Sequence, residues 1–206
     1  MPDPSVATTV IALADPITQL YKQSAGNRSG ATFIDPRGLL PTYRAAKRAL
    51  ALPATPTLVA NLVGAANKIV RVRRVMVSGA AATASQIIPV DLIKYSTAAT
   101  GGTATTPAAV PDDSADGAAG AVLSVYTVLP TLGTAVGTVG VKPVSFGLIT
   151  AAIIGDMAVW DFTVRGDEGI VLRGVAETLG IHLGGVALAN ATTLNCEWEW
   201  TEEASS

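Results

Sequence analysis

The sequence holds one cysteine, one histidine and few aromatic residues, and each shortage removes a class of explanation. With Cys196 alone, no intrachain disulfide framework can form. With His182 alone, one chain lacks the His/Cys set from which a zinc-type site is built. Aromatic residues make up only 5% of the 206 positions and charged residues 15%. The net charge of −2 opposes general nucleic-acid binding, which needs excess cations to replace counterions. The opening MPDPSVATTVIALADP lacks a positive n-region and carries Asp3, unlike a secretory signal. The most apolar run, Phe146 to Trp160, is broken by Asp156 and is too short to span a bilayer. A soluble chain without a membrane segment is expected.

Motifs for chemistry are also missing. GTAVGTVG does not match the dinucleotide fingerprint, and there is neither a phosphate-loop GK[ST] nor a GxSxG elbow. Cys196 alternates with tryptophans and reads as core filler. DDSADG (112–117) resembles the start of a calcium loop, but its twelfth position is Leu123 where a glutamate is needed, so it reads as an acidic turn. Arg165–Gly166–Asp167 reads as part of a tight turn. The expectation is a protein that is not an enzyme, with no catalytic residue, cofactor or metal.

What is present is an apolar share of 49%, largely alanine and valine, enough to bury a core. Two regions differ. Residues 1–56 are punctuated by seven prolines and contain no persuasive strand period. They read as an extended partner-docking arm with one short helix around Thr42–Leu52, placing Tyr43, Ala46 and Leu50 on one face. Up to residue 55 this arm carries six basic and three acidic residues, against eight and thirteen in the remainder. A basic leader before an acidic body suggests different surroundings for the two. Fully stretched, an arm of about 55 residues reaches roughly 180 Å.

Residues 57–206 change to short β-like runs separated by Gly, Pro, Ser, Thr and Asp clusters. In LNCEWEWTEE, Leu194, Cys196, Trp198 and Trp200 alternate with Asn195, Glu197, Glu199 and Thr201, one face apolar and one acidic. MAVWDFTV and TLGIHL alternate likewise, with His182 outward. TLVANLV, IVRVRRVMVSG, QIIPVDLIKY, AVLSVYTV, TVGVKPVSFGLI and GIVLRG complete about nine strands with no helix between them. This pattern predicts an all-β fold, an antiparallel jelly-roll-like β-sandwich of 8–9 strands. Residues 96–120 read as a long polar surface loop.

IVRVRRVMVSG (69–79) concentrates Arg71, Arg73 and Arg74 in a chain poor in charge. Its apolar positions begin on Val70 and Val72 and continue on Val75 and Val77, so one extra residue, a β-bulge, is expected near Arg73–Arg74. The arginines fit an outer strand face that discourages sheet stacking, a contact with another subunit or protein, or nucleic-acid readout, for which the interleaved aromatics are missing. Because first and last strands of a jelly roll share a sheet, Glu197 and Glu199 are expected to face Arg71 and Arg73.

The order of NKIVRVRRVMVSG, VDLIKYSTAATGGTATTPAAVPDDSAD, AVLSVYTVLPTLGT, GIVLRGVAETLGIHLGG and CEWEWTEE resembles a family of tailed-bacteriophage structural proteins over roughly residues 57–203. The resemblance implies a virion component assembled in the bacterial cytoplasm, on the head surface or in a fibre or tail tip. It carries no catalytic residues. The expected function is a capsid decoration or cement protein, a homotrimer docked through its arm on the major capsid protein or another virion protein. A receptor- or glycan-binding module of a fibre or tail tip, using loops 96–120 and 129–138 with Tyr95 and Tyr126, is the alternative. Subunit or capsid contacts are expected at Arg71, Arg73, Arg74, Glu197, Glu199, Tyr43, Arg44, Lys47 and Arg48, with no nucleic acid and no membrane among the partners.

Overall fold

A computed structural model describes residues 40–148, 150, 155–163 and 169–205. The chain divides into Met1–Leu39 and Leu40–Ser206, and the architecture below is that of the second unit. Its described residues form twelve strands: β1 (Thr42–Ala51), β2 (Leu58–Val63), β3 (Lys68–Ala81), β4 (Gln86–Tyr95), β5 (Thr103–Thr105), β6 (Val110–Pro111), β7 (Val122–Val128), β8 (Ala135–Leu148), β9 (Met157–Asp161), β10 (Ile170–Arg173), β11 (Thr178–His182) and β12 (Thr192–Ala204). They follow one path, β5-β7-β2-β11-β4-β8-β3-β12-β1-β6, with β9 and β10 also paired to β3. The unit is all-β, a curled mixed sheet that makes a half-barrel.

Three expectations change. The helix over Thr42–Leu52 is strand β1, paired antiparallel to β12 from Thr42↔Thr201 to Ala51↔Thr193. Tyr43, Ala45 and Leu50 turn into the core, so this stretch belongs to the body and the boundary lies at 39/40 instead of 56/57. The 96–120 loop contains β5 and β6. Finally, the sheet is not purely antiparallel, since β8 pairs parallel to β3 at Ala80↔Gly147 and Ala81↔Leu148.

That short parallel bridge is the corner of the half-barrel. Along most of its length β8 pairs antiparallel with β4, from Ala135↔Tyr95 to Phe146↔Gln86, and only its last residues cross to β3. A Cβ on Gly79 would lie 2.4 Å from the Phe146 ring, so the corner packs because β3 presents bare backbone there. Facing prolines, Pro89 and Pro143, sit opposite each other in the β4–β8 ladder. Neither can donate, so they fit only a non-hydrogen-bonded pair, where no ladder bond is lost. The missing N–H of Pro89 then faces β11, whose pairing with β4 stops two residues short, at Asp91↔His182.

Inside the curl, Trp198, Trp200, Phe146, Leu172, Leu179, Ile181 and Leu194 are fully buried in one cluster. Full burial of each large apolar side chain stabilises by about 1.5–3 kcal/mol before entropy is counted. Tyr43 stacks on Trp200 with centroids 6.0 Å apart, and its hydroxyl donates to the Gly117 carbonyl at 3.0 Å.

Candidate functional site

The charged outer face of β1, β12 and β3 is where the sequence places its arginines. Strand alternation sends Trp198 and Trp200 inward, so Glu197 and Glu199 point out. β12 lies between β1 and β3, with Glu199 opposite Arg44 on one side and Arg74 on the other. The expected bulge is present: Glu199 pairs with Arg74 and Trp200 with Val72, leaving Arg73 as the extra residue. All three arginines of β3 remain partly exposed while Val70, Val72, Val75 and Val77 stay buried.

Glu199 is the hub. Its carboxylate lies 3.0 Å from Arg44 Nη2, 3.1 Å from Arg74 Nη2 and 3.9 Å from Arg73 Nε. Arg44 also reaches Glu197 at 3.7 Å and Asp112 at 2.9 Å. The hydrogen bond from Arg44 to Asp112 raises the guanidinium pKa, with burial opposing and Glu199, Asp112 and Glu197 adding. Arg71 pairs with Glu203 at 2.6 Å, not with Glu197 or Glu199. Asp161 of β9 stands opposite Arg74. Hydrogen bonds from the Thr163 hydroxyl and amide hold its pKa below the usual value, Arg74 and Arg73 adding a smaller attraction. The row of cations is thus neutralised within the chain. Such a face supports register and keeps sheets apart, and it offers little positive potential to a phosphate backbone.

The other expected contacts separate. Tyr43 is 2% exposed and serves the core, so it is not a surface contact. Lys47 and Arg48 sit at the irregularity of β1 between Lys47 and Leu50, beside a depression of about 320 Å³ lined also by Ala46, Met76, Met157, Asn195 and Glu197. Ala49 there has φ 52°, and its N–H donates to Asn195 Oδ1 at 2.8 Å.

Groups suited to chemistry are committed elsewhere. Burial pushes the Cys196 thiol up to about 11, far from thiolate reactivity. Burial lowers the His182 pKa against a partial rise from Asp91, and its Nδ1 accepts the Gly184 N–H at 3.0 Å. In DDSADG the Asp112 carboxylate is held by Arg44, and Asp113 Oδ1 accepts the Ala115 N–H within its own turn. Tyr95 and Tyr126, the aromatics nearest the loops, are 3% and 6% exposed and offer no stacking platform to a sugar. The RGD triplet lies outside the described residues.

One site escaped the sequence reading. Glu202 is 3% exposed. Its carboxylate accepts from Lys68 Nζ at 2.5 Å, from the Gly120 and Ala121 N–H groups at 2.9 and 2.8 Å, and from the Trp200 indole at 3.1 Å. The signal was there: position 202 continues the inward phase of Trp198 and Trp200, so a carboxylate at that position needs donors waiting for it.

The chain matches no protein-family model, no curated protein and no solved structure.

Proposed function

We propose that the chain is a non-enzymatic structural protein of a tailed-bacteriophage virion, a capsid decoration or cement protein that docks on the head through its leading segment. Its body is then a jelly-roll-like sandwich in which the β6-β1-β12-β3 and β5-β7-β2-β11-β4-β8 portions of the sheet face each other. The observation that carries this reading is the division of the chain at Leu39/Leu40. Behind it stands a body whose principal charged row is matched within itself; ahead of it is a separate segment. Because Thr42–Ala51 belong to the body, the docking segment shortens to residues 1–39. There Lys22, Arg28 and Arg37 balance Asp3, Asp15 and Asp35. Docking then rests on burying apolar residues such as Ile11, Leu13, Phe33 and Ile34 against the partner. The partner is the major capsid protein or another virion protein, with the protein itself a homotrimer.

The test mixes phage heads lacking this protein with the full chain or with a chain lacking residues 1–39. The full chain should co-sediment with heads, and the shortened chain should fold but stay in the supernatant. Equal binding by both would overturn docking through the leader. A C-terminal label found only on tails of intact particles would overturn the head assignment.

A further inference from the structure

We infer that the Ala135–Val141 edge of β8 is a self-association surface, on which a second copy of this chain adds its own β8 antiparallel across a two-fold axis. This goes beyond the proposed virion role and does not depend on it. The two outer edges of the curled sheet are blunted, β5 being three residues long and β6 two. β8 is fourteen residues long, and among the described residues its side away from β4 meets another strand only near its end. Among the described residues, Ser145 O accepts the Asp156 N–H at 2.8 Å, and Gly147 and Leu148 pair with β3. Just before them the strand protects itself. The N–H that Pro143 lacks would have faced this open side, and the Lys142 ammonium turns onto the Val159 carbonyl and the Trp160 ring, 5.5 Å from its centroid.

Among the described residues no strand other than β4 pairs with residues 135–141, although the Trp160 ring lies against Gly140. The sequence AVGTVGV has no charge and no proline, and Val136, Val139 and Val141 are 63%, 36% and 62% exposed. A neutral, β-prone, open edge of this kind pairs with whatever strand fits it. Charge decides the occupant. An acidic or basic partner would find no countercharge here, whereas an antiparallel copy of the same strand brings no like charges together and satisfies each backbone row with the other. Seven residues extend about 23 Å, and a sheet about 10 Å thick gives a contact section of roughly 230 Å². That is well under the roughly 800 Å² per partner of a standard interface. The exposed side chains of Val136, Val139 and Val141 must therefore join the contact, and the dimer is concentration-dependent. Two-fold pairing through β8 also differs from a closed three-fold ring, so it would link rings instead of forming one.

The full chain is examined by sedimentation velocity over about two decades of concentration, alongside Val139→Lys and oxidative cross-linking of Thr138→Cys. Expected are a monomer-to-dimer shift, or its analogue between larger species. Val139→Lys should weaken it at least tenfold, and Thr138→Cys should cross-link where the exposed control Val175→Cys does not. Three results would overturn the proposal: association unchanged by Val139→Lys, equal cross-linking of both cysteine variants, or a species that never changes with concentration. Slow exchange of the Val141 amide, which shares with position 143 the side away from β4, in the dilute, unassociated protein would show the edge covered from within the chain, and would overturn it as well.

Discussion

Glu202 shows what a single buried carboxylate does here. Burial by itself raises its pKa, but hydrogen bonds from Lys68, Ala121, Gly120 and Trp200 outweigh that and hold it below the usual glutamate range. In the unfolded chain the group titrates near about 4.3. Its contribution is therefore complete above that pH and is lost as pH falls through the lower, folded value. Glu202→Gln should cost about 2–3 kcal/mol at neutral pH, measured by urea unfolding, and the gap between variant and parent should shrink below about pH 4. Ala49 is the opposite case. Its φ of 52° lies in the left-handed region, which disfavours a side chain by about 1–2 kcal/mol. Glycine there costs some unfolded-state entropy, so Ala49→Gly should raise stability by about 0.5–1 kcal/mol, visible as a higher Tm.

At the scale of elements, the runs read from alternation correspond to β2, β3, β4 and β7 to β12. β3, β4 and β12 were legible because one face meets the core and the other does not, whereas β2 and β11, buried on both faces, show as short apolar runs. β1 was not legible, since TYRAAKRALA is rich in good helix formers and its apolar residues also fit a helical stripe. Contact with β12 and its tryptophans decided it, as tertiary packing overrides propensity. β5 and β6 are too short for any period to show. The bulge in β3 was legible because a phase change admits no other reading, whereas the partner of Arg71 was not, because the bulge shifts the pairing by one residue. Deleting Arg73 removes the extra residue and leaves Val70, Val72, Val75 and Val77 in one unbroken alternation. That variant should unfold cooperatively with a loss of about 1 kcal/mol or less. Deleting Met76 instead turns Val77 outward and should abolish folding, as circular dichroism and cooperative melting will show.

For the whole molecule, the boundary at Leu39/Leu40 makes a sharp expectation. Removal of residues 1–39 should leave a cooperatively folding body. Removal of 1–51 takes away β1 with Tyr43, Ala45 and Leu50 and uncovers β12, so the product should aggregate or melt without a transition; gel filtration and calorimetry distinguish the two. The charged face illustrates the limits of reading from sequence at this scale. That its arginines and glutamates point outward, and that a bulge divides them, follows from local alternation, because side-chain direction in a strand is a property of the strand alone. That Glu199 gathers three arginines, that Tyr43 is core, and that β8 turns a corner to lie parallel to β3 depend on which strands become neighbours. Strand order is set by long-range packing of faces that are chemically alike, and no period within a single strand records it.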